Sequence, residues 1–385
     1  MSKTVDQVIL AITAWLEPRD EDRLRADLRG WDEDDWMLAR RVAFMHGVSP
    51  SLHQNLSAAP SLYRAFPMGF KEYLESQTAL NAARMQRAHN ELAAILSAAN
   101  CKGIEVMPIK GSLLSTLGQT DPKLRTMADI DLLIRPADRL AMAELLEQRG
   151  YEREQPKELY PHHDHFNHKQ DQVVSWEGEH PQNPLPVEIH THMRRILWGD
   201  VLTPDFTRIL WDRASPGKIL GQPAWIPGDE AHYAYLCLHA LVHLLVCKGR
   251  LAQWLDLARL ASGIPDFSRL PYGGLLYPLV RLAARALPAA FAGVDLHPMA
   301  ALSRPWVRNW AETIPLNYCC GLLNQHTPQH PAWIADRWNY WRPTPIRLAA
   351  THPETPLPAA YLVYLGTVIL HIVKRGRYLL RKKQP

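Results

Sequence analysis

Two aspartates one residue apart, Asp129 and Asp131, are the residues of this chain best suited to chemistry. They lie in an apolar segment with the length and composition of a β-strand. Alternate residues of a strand point to the same face, so the two carboxylates project together while Ile130 and Leu132 face the core. Like charges side by side are costly unless cations neutralise them, and oxygen ligands suit Mg2+. The pair predicts a divalent-cation site.

A glycine–serine turn precedes this pair. Gly111 lets the backbone approach a phosphate closely, and the Ser112 hydroxyl can donate to a phosphate oxygen. Lys110 and Arg125 are the nearest cations for the β- and γ-phosphates of a nucleoside triphosphate (NTP). A phosphate-binding turn beside paired carboxylates predicts NTP binding with two Mg2+ ions, for which Mn2+ can substitute, and nucleotidyl transfer as the reaction.

A two-metal site needs a third carboxylate, and Glu188 is the candidate. It alternates with apolar residues, so Glu188 and His190 share one face of a half-buried strand. The third acid holds a metal or takes the proton of the attacking hydroxyl. Glu177 and Glu179 compete for this role, but their polar, glycine- and proline-containing surroundings indicate a hairpin turn. Asp129, Asp131 and Glu188 are therefore the predicted catalytic and metal-binding residues.

The elements that must position these acids follow from periodicity. Helical patterns cover residues 5–16, 36–44, 77–99 and 230–261, and strand patterns cover 104–109, 129–134, 172–176 and 186–192, with helices at 112–117 and 137–149. The fold class is α+β. We expect a small mixed β-sheet module at 101–195, an N-terminal helical region at 1–100 and a C-terminal helical region at 196–385 that shapes an acceptor pocket.

Composition narrows the class of protein. The 385 residues suffice for two or three domains, and the net charge of +4 is too small to demand a nucleic-acid partner. The five cysteines form no CxxC pair, which favours reduced thiols in a cytoplasmic protein. The N-terminus lacks the basic and then apolar layout of a signal peptide.

The order of these motifs resembles the DNA-polymerase-β-like nucleotidyltransferase superfamily. The closer resemblance is to a bacterial branch of uncharacterised nucleotidyltransferase family proteins, and it runs from about residue 30 to 262. The matching motifs are Lys110-Gly111, Arg125, Asp129-Ile130-Asp131-Leu132-Leu133, Glu188-Ile189-His190, His239-x-x-x-His243 and Leu255-Asp256-Leu257. The resemblance implies a minimal nucleotidyltransferase module at 101–195. Relatives of this branch often accompany exopolysaccharide or ribosomally made peptide pathways, so it favours a small-molecule, sugar or peptide acceptor.

Several histidines are candidates for lining the acceptor pocket: His165, His190, His239 and His243. The histidine-rich segment 162–168 does not favour structural zinc, because no cysteine accompanies it and adjacent side chains of an extended chain face opposite ways. We expect a polar strand or loop near the active site, with one histidine contacting substrate. His239 and His243 have helical i, i+4 spacing, and Asp256 is a candidate to orient one of them.

The C-terminal segment 358–373 is almost continuously apolar and is followed by a basic run. It is short for a membrane span, which needs about 20 residues. We expect a buried helix with a solvated basic end, with peripheral contact to an anionic membrane as the alternative.

The sequence thus predicts an enzyme that moves a nucleoside monophosphate from an NTP to an acceptor hydroxyl or phosphate and releases pyrophosphate. One rival is a toxin-like enzyme that modifies RNA ends or a protein; the lack of aromatic and basic clusters counts against nucleic acid. The other rival is an inactive NTP-binding or scaffold module. The retained aspartate pair argues against it, because a scaffold has no use for adjacent carboxylates.

Overall fold

The computed structural model of the chain describes residues 3–118, 121–154, 163–194, 196–198, 201–245, 249–316, 348 and 355–382. Six helices come first: α1 (Val5–Leu16), α2 (Glu21–Asp27), α3 (Glu33–Met45), α4 (Ser49–Ser57), α5 (Pro60–Tyr63) and α6 (Met68–Cys101). Local capping explains two of their starts. Thr4 and Gln7 form a capping box at α1, and Asp32 and Asp35 form one at α3.

A mixed α/β module follows, as expected from the change of periodicity. Its elements are β1 (Val106–Pro108), α7 (Lys110–Leu114), β2 (Ile130–Ile134), α8 (Arg139–Gln148), β3 (Tyr151–Arg153), β4 (Asp164–His168) and β5 (Val187–His190). The five strands form one sheet in the order β1-β2-β5-β4-β3. Only the β2–β5 pair is parallel; the other neighbours run antiparallel. The fold is α+β, as predicted.

Two small hairpins lead into the C-terminal helices. They are β6 (Ile196–Trp198) with β7 (Val201–Leu202), and β8 (Ser215–Ile219) with β9 (Gln222–Ile226). The helices are α9 (Thr207–Asp212), α10 (Asp229–Leu245), α11 (Leu251–Ala261), α12 (Gly273–Ala286), α13 (His297–Leu302), α14 (Pro305–Thr313) and α15 (Leu357–Lys382).

Helix α6 links the two hydrophobic cores of the molecule. Its first turns place Phe70 and Leu74 in a core shared by the N-terminal helices and α10–α14. Its later turns place Leu92 and Ile95 in a second core with the sheet and α8. The N-terminal and C-terminal helices therefore pack against each other as well as against the module. The division of the chain into three regions, with boundaries at residues 100 and 195, stays a prediction.

The predicted strand at 172–176 is wrong. These residues lie in the loop between β4 and β5, where Val174 is 53% and Trp176 80% exposed. The Asn183 side chain accepts hydrogen bonds from the amides of Val174 and Ser175 and donates to the Ser175 carbonyl. A side chain thus satisfies the backbone groups that a strand would pair in a sheet.

The expectation of a buried C-terminal helix is also wrong. Helix α15 buries Ala360 and Tyr364, but Leu362 is 72%, Ile369 61% and Leu370 59% exposed. The side chains of the basic run lie outside the described residues. None of the described helices is long and apolar enough to span a bilayer. Cys101 and Cys237 are free thiols; the other cysteines lie outside the description.

Candidate active site

Strand register brings the second and third predicted acids together. In the parallel β2–β5 pair, Asp131 is opposite Glu188, and in the antiparallel β4–β5 pair, His165 is opposite Glu188. Directly opposed side chains on one sheet face are close neighbours. The three form a polar row across the sheet, and the Asp131 side chain is only 3% exposed.

Lys110 lies on this row instead of facing a phosphate. Its Nζ is 2.5 Å from Asp131 Oδ1 and 3.8 Å from Glu188 Oε2, and its side chain is 8% exposed. His190 Nε2 lies 2.9 Å from the same Asp131 oxygen. Lys110 starts α7 with a φ of 50°, in the left-handed region that residues with a side chain rarely adopt. The phosphate contact of Lys110 stays a prediction; in this structure the ammonium group contacts two buried carboxylates.

Asp129 differs from Asp131 in having no cationic partner. Within the residues that the structure describes, its carboxylate forms no ion pair and no hydrogen bond, and the residue is partly exposed just before β2. Burial and the charges of Asp131 and Glu188 raise the pKa of Asp129 from 3.8 to about 7, although Lys110 and Arg250 act in the opposite direction. Asp129 is therefore the carboxylate of the cluster whose negative charge is least compensated, which makes it a candidate ligand for a divalent cation.

Glu188 is held by a ring of imidazoles. His163 Nε2 and His165 Nδ1 lie 3.2 and 3.6 Å from Oε1, and His190 Nε2 lies 3.6 Å from Oε2. Burial alone would raise the pKa of the Glu188 carboxyl. Hydrogen bonds from the three histidines and the charge of Lys110 outweigh burial and hold this pKa well below its usual range. Glu188 is therefore a stable anion.

The same histidines could also hold a metal. Ligand atoms of His163, Glu188 and His190 all lie within 4.8 Å of one another. Two nitrogens and a carboxylate suit a borderline transition metal more than Mg2+. However, Lys110 Nζ lies 3.5 Å from His190 Nε2, and a cation there would oppose a metal ion. His162, the first residue of the histidine-rich segment, lies outside the described residues.

The glycine–serine turn contacts both β2 and Arg125. The fully buried Ser112 hydroxyl accepts a hydrogen bond of 2.8 Å from the Asp131 amide, which fixes β2 against α7. A Cβ at Gly111 would lie 2.5 Å from Arg125 Nη1, so glycine is required for the guanidinium to approach. In this structure Ser112 positions the Asp131 backbone, and Gly111 leaves room for the Arg125 guanidinium.

Arg125 is anchored by a residue of α11. Its Nε and Nη2 donate to the two carboxylate oxygens of Asp256 at 3.1 and 2.9 Å. This two-point pairing fixes the guanidinium plane over Gly111. The prediction that Asp256 orients a histidine is wrong, since Arg125 occupies both of its oxygens. Arg125 remains beside the glycine–serine turn, as the sequence predicts.

Two arginines of the site escaped the sequence reasoning. Arg84, in the middle of α6, donates to the carbonyls of Met127, Asn183 and Pro184 at 3.2, 2.9 and 2.8 Å. It thereby ties the segments before β2 and β5 together. Arg250 lies next to α11, and its charge lowers the pKa of Asp129. Neither shows a sequence signal, because an arginine in a helix or loop is usually a solvated charge.

His239 and His243 occupy a different position from the other predicted pocket residues. Their rings lie 4.2 Å apart on α10, and His243 Nδ1 is 3.1 Å from Gln253 Nε2. Their described contacts are with α10 and α11, not with the acids. His165 and His190, in contrast, both contact Glu188.

Asp129 lies just before β2, Asp131 lies on β2, Glu188 lies on the parallel neighbour β5, and the glycine–serine turn contacts β2. The sequence profile of the family described as "Uncharacterised nucleotidyltransferase" matches residues 32–269, more than half of the chain. The chain belongs to this family, which confirms the resemblance, and it is a nucleotidyltransferase enzyme. Membership implies an NTP substrate, and the family generally uses divalent metals.

Other comparisons add little. No curated protein matches the chain. Among solved structures, it is similar to an antigenic nucleotidyltransferase-like protein from Paracoccidioides brasiliensis, at 14% identity and a TM-score of 0.34. The match covers 56% of this chain and 93% of that one. A TM-score this low supports no inference about fold or function, so the protein class rests on the family match.

Proposed function

We propose that this enzyme transfers a nucleoside monophosphate from an NTP to a hydroxyl or phosphate of a small-molecule, sugar or peptide acceptor, with release of pyrophosphate. The supporting observation is the Asp129 carboxylate, which senses the charges of Asp131 and Glu188 but forms no ion pair among the described residues. Excess negative charge at this position favours a Mg2+–NTP complex over a free anion.

Asp129 and Asp131 offer the oxygen donors that a hard divalent cation prefers, with Mg2+ as the first choice and Mn2+ as a substitute. When bound, such an ion would neutralise charge on the triphosphate. Asp131 is already hydrogen-bonded by its backbone to Ser112, and its Oδ1 contacts Lys110 and His190. Its position is thus fixed before any ligand arrives.

Arg125 and Arg250 are the proposed contacts for the β- and γ-phosphates. Arg125 retains N–H groups beyond those that bind Asp256, and it lies against Gly111. Arg250 acts electrostatically on Asp129 and forms no ion pair within the described part of the chain. These guanidinium groups replace Lys110, which the sequence assigned to the phosphates.

The transfer itself is a displacement at the α-phosphorus. The acceptor oxygen forms a bond to this phosphorus while the bond to pyrophosphate breaks, and the hydroxyl proton leaves to water. The low pKa of Glu188 makes it a poor proton acceptor at neutral pH. We therefore propose that Glu188 positions Lys110 and also His165 and His190, which border the acceptor. This role replaces the proton transfer that was predicted from the sequence.

The acceptor is proposed as a chemical class and not as a particular molecule. His165 and His190 border Glu188 and are the proposed first contacts of the acceptor, whereas His239 and His243 would meet only its distant part. A toxin-like activity on RNA ends or a protein uses the same chemistry and is the alternative. The scaffold alternative is less favoured, because Asp131 and Glu188 are register partners and both act electrostatically on Asp129. A cytoplasmic setting and peripheral membrane contact by α15 also stay proposals.

Calorimetric titration tests the proposal. ATP, GTP, CTP and UTP are titrated with Mg2+ into the wild type, Asp129→Asn and the control Glu72→Gln, whose exposed side chain lies on α6. We expect Mg2+-dependent binding of at least one NTP to the wild type and the control, and a loss of at least tenfold in affinity for Asp129→Asn. Equal affinity in all three proteins would overturn the assignment of the site.

A further inference from the structure

The ammonium group of Lys110 occupies the space that one of two metal ions would need. Asp131 and Glu188 are register partners on adjacent parallel strands, and Lys110 Nζ lies 2.5 Å from one and 3.8 Å from the other. A divalent ion shared by these carboxylates would lie about 2.0–2.6 Å from their oxygens. Ion and ammonium cannot occupy the same gap.

Lys110 is fixed in this gap. The residue is 6% exposed, and His190 Nε2 lies 3.5 Å from its Nζ. Its backbone adopts a φ of 50° at the junction of β1 and α7. A residue with a Cβ rarely adopts this conformation, and such strain is characteristic of functional sites. The partners of Lys110 are equally immobile, because three histidines surround Glu188 and Ser112 binds the Asp131 amide.

The charge count of the acid cluster also matches one ion. With all three carboxylates ionised, as in a metal complex, Asp129, Asp131 and Glu188 share one ammonium group, which leaves two negative charges if the histidines and the more distant Arg250 are not counted. One divalent cation neutralises this remainder. A second divalent cation would leave the cluster with a net positive charge in a largely buried setting, which is unfavourable.

We propose that the site takes one divalent cation, held by Asp129 and Asp131, and that Lys110 permanently supplies the positive charge of the second. This inference rests on the proposed function and departs from the two ions that the sequence predicts. Lys110 is then a positioning residue for Asp131 and Glu188, and its loss should open a second cation site between them.

Counting bound Mn2+ by electron paramagnetic resonance tests this inference. Mn2+ is titrated alone and with the α,β-methylene analogues of the four NTPs, which cannot undergo the transfer. We expect one bound Mn2+ per wild-type chain in the nucleotide complex and two in Lys110→Met. Lys110→Arg keeps the charge and should bind one. Lys102→Met is the control, since this exposed lysine lies at the end of α6 and contacts Gln148.

The outcomes separate the two proposals. Two Mn2+ ions beside a bound analogue in the wild type would overturn the inference and leave the proposed function intact. A single ion in a folded, nucleotide-binding Lys110→Met would also overturn the inference. If Lys110→Met does not fold, the wild-type and Lys110→Arg counts decide. Failure of every analogue to bind the wild type would overturn the proposed function and the inference with it.

Discussion

Replacing Asp129 with asparagine should stabilise the metal-free protein at alkaline pH. Burial and the neighbouring carboxylates raise the pKa of Asp129 from 3.8 to about 7 in the folded state. A carboxyl group whose pKa is higher in the folded than in the unfolded protein costs no stability at a pH below its pKa in the unfolded protein. Its cost grows between about pH 4 and pH 7 and is complete above pH 7. Asparagine removes this cost, because the amide has no charge to lose.

The size of the effect follows from the pKa difference. A rise of about three in pKa corresponds to about 4 kcal/mol, since each unit is worth about 1.4 kcal/mol. Asp129 is partly exposed and its charge is screened by solvent, which halves the value to about 2 kcal/mol. For a chain of this size, such a gain raises Tm by roughly 2–3 °C.

Thermal unfolding followed by fluorescence in the presence of EDTA measures this gain. We expect Asp129→Asn to melt above the wild type at pH 8.5 and close to it at pH 5. The control Glu72→Gln removes an exposed charge on α6 and should stay within about 0.5 kcal/mol of the wild type at both values. Added Mg2+ should raise the Tm of the wild type but not that of Asp129→Asn. An equal gain at both pH values, or no gain, would refute the electrostatic reasoning.

Three further predictions concern other parts of the structure. Gly111→Ala places a Cβ 2.5 Å from Arg125 Nη1, so it should lower Tm and weaken NTP binding by at least tenfold, whereas Gly366→Ala, which meets no atom within 4 Å, should change neither. Arg250→Gln should weaken NTP binding about threefold to tenfold in calorimetry while the protein stays folded; an unchanged affinity would exclude its phosphate contact. Leu362→Glu, at a position 72% exposed on α15, should reduce cosedimentation with anionic vesicles; wild type that fails to sediment would disprove membrane contact.

The sequence was sufficient to predict those features of the site that depend on local secondary structure. The alternation of apolar and acidic residues around Asp131 and Glu188 was sufficient to predict the strands that carry them, whereas Asp129 lies just before β2. Helices α1, α3, α6, α8, α10 and α11 were likewise predicted by their apolar periodicity. These features depend on neighbours within a few residues, which a single sequence displays directly.

The sequence could not reveal contacts that the tertiary fold creates. Arg125 and Asp256 meet across 131 positions of the chain. The position of Lys110 depends on a left-handed backbone conformation at a residue that is not glycine, and no sequence pattern signals it. The side chain of Arg84 reaches loop carbonyls about 100 residues away. Such contacts decide which cation meets which acid: Asp256 pairs with Arg125, and Lys110 contacts Asp131 and Glu188, and neither pairing is visible in the sequence.

The most direct test of the central claim is to follow the fate of an α-labelled NTP. Wild type and Asp129→Asn are incubated with Mg2+, each of the four labelled NTPs and a pool of small-molecule, sugar and peptide acceptors, and the products are identified by mass spectrometry. We predict an acceptor that gains the mass of a nucleoside monophosphate, with one pyrophosphate released per transfer, and neither product from Asp129→Asn. Release of a nucleoside diphosphate instead of pyrophosphate, or equal product from the variant, would contradict the account.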